Sequence, residues 1–231
     1  MKRRALALAF LAAAVPAAAQ SPLPVDLGAR AVGSDSFTIR VPGREVGYQR
    51  TRFEPSAAGW RYIDQTVMTG RVEQNTTVEF TRDGALLRVE QRGTSRGVPM
   101  ATDLTYGGGR VKGRSSNPAA DGSVTVFEID SAVGAVVDDN ALVALAPALP
   151  FVAGAGWNFT VFSSGQNQLI PMTLAVAGRD TVDAPAGRFD AWRVTVTGGP
   201  APLAIFVTTA APQRVVRIEV VGSPLEFVLA Q

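Results

Sequence analysis

The chain contains no cysteine and no histidine. The first absence removes thiol nucleophiles, disulfides, iron–sulfur clusters and cysteine-ligated zinc together. The second removes the commonest general base and the commonest transition-metal ligand. Charge is scarce too, at 18% of 231 residues, against a hydrophobic share of 46%. A disordered chain is poorer in apolar residues and richer in charge, so a folded core is expected. One domain is the default at this length. Such a domain buries about 70% of its unfolded surface and needs no metal or disulfide to do so.

The first residues read as a targeting segment. Met1-Lys-Arg-Arg4 is followed by an apolar run from Ala5 to Val15, then Pro16 and the small residues Ala17, Ala18 and Ala19. Charged, apolar and small regions in that order form a secretory signal peptide, with cleavage expected after Ala19. The apolar run of 11 residues falls short of the ~20 that span a bilayer. No later stretch approaches that length, and without cysteine the lipoprotein route is closed. The mature chain is therefore expected to be soluble and periplasmic or secreted. Removing Lys2, Arg3 and Arg4 leaves 19 bases against 20 acids. Arginine alternates with Asp and Glu instead of clustering, so no nucleic-acid surface is expected.

Residues 20–34 read as an irregular leader and 35–231 as a single β domain. The clearest strand is 72–80, where Val72, Gln74, Thr76, Val78 and Phe80 share one face and charged or polar residues the other. Asp83-Gly84 then leads into Ala85–Arg92, a hairpin signal in which both turn positions favour positive φ. Phe37–Val41 turns through Pro42-Gly43, the composition of a type II turn. Leu104–Tyr106 and Arg110–Lys112 flank Gly107-Gly108-Gly109. Further runs follow at Trp157–Phe162, Met172–Val176, Phe189–Thr197, Leu203–Thr209, Val215–Val221 and Leu225–Leu229. Roughly a dozen short strands at this spacing indicate an all-β fold, here an antiparallel barrel, open or closed. One segment departs from the pattern. Asp138-Asp139-Asn140 supplies an N-cap for Ala141–Ala146, which Pro147 ends or kinks. Apolar all round, this short helix should be buried and cover one opening of the sheet. Gly154–Gly156 reads as a joint between two halves.

The last third carries Val176-Ala-Gly-Arg-Asp-Thr-Val-Asp-Ala-Pro-Ala-Gly-Arg-Phe-Asp-Ala-Trp-Arg-Val194, followed by Ile205-Phe-Val-Thr and Pro212–Glu219. This resembles a bacterial envelope family, domain of unknown function 3108. Pro185, Gly187, Phe189, Arg193 and Val194 match its Pro-x-Gly-x-Phe-x-x-x-Arg/Lys-Val hairpin. The resemblance is clear over 140–231 and extends to 35–130 in strand rhythm. It implies a periplasmic antiparallel β-structure akin to the open barrels of LolA/LolB-type lipoprotein carriers, and it brings no catalytic residues with it. The motif also has a physical reading: Pro185 presets a turn, Gly187 relieves its strain and Phe189 starts a strand in the core.

Other motifs carry less. Asp138-Asp139-Asn140 lacks the alternate-position oxygens of a calcium loop and fits helix capping better. Asp180-Thr181 lacks both the glycine and the second copy of an aspartic protease. Ser115-Ser116 and Ser163-Ser164 have only Lys112 as a base, in a polar, turn-rich setting that would not depress its pKa. Gly107–Gly109 has neither the spacing nor the helix of a phosphate loop. The glycosylation sequons at Asn75 and Asn158 are of a kind that arises by chance. No catalytic residue, metal or cofactor is expected. The expected function is non-enzymatic: an envelope protein whose curved sheet binds an apolar or amphipathic ligand such as a lipid. Trp60, Trp157, Trp192, Leu142 and Leu145 are the candidates to line that site, although aromatics more often simply fill a β core. Lipid, lipoprotein or envelope proteins are the expected partners. The alternatives are a structural or protein-interaction domain with a filled core and, more remotely, a carboxylate-only hydrolase.

Overall fold

The computed structural model describes residues 23–119 and 121–231, so the expected signal peptide lies outside the described residues. Eight strands form the first arm: β1 (Gly33–Val41), β2 (Arg44–Pro55), β3 (Gly59–Met68), β4 (Val72–Thr81), β5 (Leu86–Ser95), β6 (Val98–Gly107), β7 (Arg110–Pro118) and β8 (Val124–Ala132). After β9 (Val137–Asp138) and α1 (Leu142–Leu145) comes the second arm. It contains β10 (Gly156–Ser163), β11 (Gln168–Ala184), β12 (Gly187–Thr197), β13 (Leu203–Thr208), β14 (Val215–Val220) and β15 (Glu226–Leu229). All fifteen strands join one sheet, in the order β8 down to β1, then β15 down to β9. Every pairing is antiparallel except that of β9 with β10. The two arms meet where β1 pairs with β15, Phe37 opposite Leu229. Gly154–Gly156 lies away from that seam, on the stretch of chain that leads from the first arm into β10.

The sheet ends at β8 and β9, which do not pair with each other. The barrel is open there. Side chains draw the edge back across the interior: Tyr106 of β6 donates a hydrogen bond to Asp138 of β9. Gln91 of β5 donates to Asn140 at 3.1 Å.

Local chemistry accounts for the turns. Gly108 and Gly109 both take positive φ (56° and 71°), and Gly107 pairs with Arg110 across a two-residue hairpin. Gly43, at φ 72°, supports the type II reading at Pro42-Gly43. The Asp83-Gly84 hairpin forms differently from expectation. Only Gly84 has positive φ (83°), the Gly84 amide donates to the Thr81 carbonyl, and the register shifts at Glu79/Phe80. A longer turn closed by a glycine bulge replaces the two-residue one. The segment read as a strand over 172–176 and a hairpin beyond it is one 17-residue strand, β11, with its irregularity at Val176/Gly178. Ala184 pairs with Gly187 around Pro185-Ala186, and Phe189 is partly buried against the core.

Strands β2 to β6 change character along their inner face. Phe53, Tyr62, Val78, Val89 and Leu104 are direct cross-strand neighbours and form an apolar row. Two residues further along the same strands runs a second row: Thr51, Asp64, Thr76, Gln91, Thr102 and Ser115. All six are buried. Buried polar groups require partners, so this row obliges the interior to supply them. On the outer face, pairs such as Arg61–Glu79 (2.9 Å), Arg88–Asp103 (3.1 Å) and Arg114–Glu128 (3.1 Å) alternate in sign. They are solvated and contribute little to stability.

Candidate functional site

The segment after β9 enters the open side of the barrel and lends residues to two cavities. A 3-10 turn (Asp139–Ala141) leads into α1, and a second (Ala146–Ala148) follows it. Asp138 caps the first turn, accepting from the Asn140 amide at 2.9 Å. The α-helical stretch is shorter than the expected 141–146 because Pro147, which has no N–H, sits in the second 3-10 turn. Ala141, Leu142, Ala144 and Leu145 are buried, as an apolar surface on all sides requires.

The leader is more ordered than its sequence reads. Asp26 caps a 3-10 turn over Leu27–Ala29, and Leu23, Leu27 and Arg30 are buried. The Asp26 amide donates to the Ala148 carbonyl at 2.7 Å. The Arg30 guanidinium lies 4.4 Å from the Phe53 ring centroid and 5.0 Å from that of Tyr62, and donates to the Ala144 carbonyl. Leader and helical segment are thereby fastened together.

The first cavity, about 270 Å³, lies between the turn end of the first arm and this segment. Leu23, Phe80, Leu86, Tyr106, Leu145 and Phe159 line it, with the 133–137 connection along one side. The amides of Val133 and Gly134 donate to the Gly109 carbonyl at 2.8 and 3.0 Å, which moors that connection to the β6–β7 turn. The volume is just under the roughly 300–1,000 Å³ usual for ligand pockets. It suits a short apolar chain or one end of a longer one. A larger surface cleft of about 500 Å³ is lined by Asp35, Arg50 and Arg52 and does not suit such a ligand.

Of the five residues singled out from sequence, Leu145 lines this cavity. Leu142 is buried in the core beside it. The structure does not bring the tryptophans together there. Trp60 stacks on Phe53 with centroids 5.1 Å apart, and Trp192 on Phe151 at 6.0 Å. Trp157 is partly buried against the core. Phe80 and Tyr106 were the lining residues legible in strand alternation; the leader's Leu23 had no periodic signal to mark it.

The second cavity, about 220 Å³, is polar and includes Gln49, Asp64, Thr76, Asp139, Asn140 and Val143. Behind it, Ser163 donates to Asp139 at 3.0 Å, and the Asn140 side chain donates to Asp138 at 2.8 Å. Burial raises the pKa of Asp138 well above the carboxylate range, and the neighbouring Asp139 charge raises it further. Desolvation raises Asp139 and Asp64 as well. For Tyr106, burial and then the Asp138 charge push the phenol upward, which keeps it a donor.

The raised carboxyls fix a sign. The folded state holds these protons more tightly than the unfolded chain, so their contribution is full below about pH 4 and falls as pH rises through the folded values. Asparagine caps as well as aspartate and carries no charge to desolvate. Asp138→Asn should therefore gain stability relative to the parent as the pH is raised from about 4 to 8. Denaturant midpoints at several pH values measure this; a parent–variant difference that stays flat would contradict it.

A family described as "Protein of unknown function (DUF3108)" matches residues 36–229. The chain belongs to DUF3108. The match takes in both arms of the DUF3108 sheet, beyond the last third where its hairpin motif stands. Among solved structures, the DUF3108 chain is similar to a "Beta-barrel-like Protein of Domain of Unknown Function DUF1849" from Brucella abortus. That likeness has 13% identity, a TM-score of 0.47, and coverage of 87% of this chain and 95% of the other. No curated protein matches. Among the described residues, no helix is long and apolar enough to cross a membrane.

Proposed function

We propose that this chain is an exported envelope protein that binds an apolar or amphipathic ligand, such as a lipid, without catalysing a reaction on it. The observation that carries the reading is the apolar cavity of about 270 Å³ at the open side of the barrel. Separate parts of the fold converge on it: the leader, β4, β5, β6, the 133–137 connection, α1 and β10. A core that only had to be filled would bring such side chains into contact. The order of residues 1–19 supports export. The absence of histidine and cysteine from the sequence, and the burial of Asp138 within hydrogen bonds, support binding over catalysis.

A second reading, an interaction domain, has one observation in its favour. The edge strand β8 carries Val124 and Val126, each 45% exposed. A strand edge of that kind can pair with another chain.

Native mass spectrometry of protein purified from the periplasm separates the two. The ligand reading expects a retained amphiphile that organic extraction removes, on a chain starting at Gln20. Protein of bare mass that takes up no added dodecanoate would favour the interaction domain.

A further inference from the structure

The polar cavity has a chemistry of its own, independent of what the apolar cavity holds. Gln49, only 8% exposed, turns its side-chain amide N–H to Asp64. Its Oε1 is buried and has no hydrogen-bond partner among the described residues. A buried acceptor of this kind is costly and marks a place where a donor belongs. The remaining lining repeats the theme. The Asp64 carboxylate already accepts from Thr66 at 2.7 Å, and Asn140 Oδ1 from Gln91 at 3.1 Å. Asp64 and Asp139 both line the cavity, and neither lysine nor arginine does. The buried cation Arg30 is committed elsewhere, to the rings of Phe53 and Tyr62 and the Ala144 carbonyl.

We propose that this cavity binds a primary ammonium group, which donates to Gln49 Oε1 and offsets the charge of Asp64 and Asp139. Three features select that class. The free valence is an acceptor, so the ligand must donate. Asp64 and Asp139 line the cavity with no lysine or arginine among the lining residues, so a positive ligand is favoured over a neutral one. Calcium takes six to eight oxygens, and among the described residues no group of three or more acidic side chains could hold a metal. An ammonium, compact and with three donors, meets an amide oxygen and a carboxylate together. Burial holds Asp64 toward its neutral form, and a bound cation reverses that tendency.

The test is an NMR shift titration of the full protein with propylammonium chloride, against tetramethylammonium chloride and 1-propanol. The first control keeps the charge and loses the N–H; the second keeps the chain and loses the charge. Propylammonium should bind about tenfold more tightly than either, the worth of a charge-assisted hydrogen bond. Gln49→Met should lose that margin. Val143→Trp should block entry without touching the polar network, and it decides the matter should Gln49→Met fail to fold. Equal binding of propylammonium and tetramethylammonium, no binding of propylammonium, or full binding to a folded Val143→Trp would overturn the proposal. Dodecanoate titrated into the same samples reads the apolar cavity, so either site can fail without the other.

Discussion

Gly113→Ala should destabilise the protein by about 3–5 kcal/mol, from backbone strain and overpacking together. Gly113 lies in the middle of β7 at φ 140°, where residues with a Cβ are strained. A Cβ there would sit 2.0 Å from the Asp103 carbonyl oxygen and 3.1 Å from the Leu104 Cα. Those atoms belong to the backbone of β6, so no rotamer change relieves the contact. Gly187 offers the comparison. Its φ is 135°, yet the nearest atom to an added Cβ is the tip of the Phe189 ring at 3.7 Å. Gly187→Val carries strain without collision, about 1–3 kcal/mol. Pro185→Ala should cost less, since it mainly returns entropy to the unfolded chain. A urea series should rank the three in that order. Gly113→Ala with the parent's midpoint would contradict the close approach of β6 and β7.

Leu145→Ala should cost about 2–3 kcal/mol, the lower part of the range for a buried leucine. Leu145 is 4% exposed, but one side of it faces the apolar cavity instead of packed atoms. Truncation therefore breaks fewer contacts and enlarges a space that already exists. Leu104→Ala is the reference, because Leu104 is fully buried in the apolar row between Val89 and Gly113. It should cost about 4–5 kcal/mol, near the upper limit. Equal costs at the two positions would mean that Leu145 sits in a tight core and that the cavity does not matter to it.

Strand alternation made much of this fold legible. The 72–80 face, with Gln74 and Thr76 between Val72 and Phe80, already held one segment of the buried polar row. What alternation could not show was that Thr51, Asp64, Thr76, Gln91, Thr102 and Ser115 stand in register, because register belongs to pairs of strands. Gly113 was visible as a glycine, but its need depends on a carbonyl ten residues away. The placement of the tryptophans was hidden for a related reason: an aromatic on an inner face says nothing about whether it meets a cavity or another ring. Trp60 and Trp192 meet rings. Leu145 stood out because it lies on a segment that breaks the strand rhythm. Arg30 and Gln49 escaped notice because a buried polar side chain resembles a surface one until its partners are known.

On the proposed function, residues 141–146 close a cavity that takes an apolar chain. Amide hydrogen exchange across this segment, with and without dodecanoate, tests it most directly. The segment is short and held by few backbone bonds, so it should open more easily than β4, β5 or β6. Ligand that binds only the closed form should slow its exchange by linkage. Exchange at 141–146 should be faster than in those strands and slowed by dodecanoate. Protection equal to the strands and unchanged by dodecanoate would contradict it.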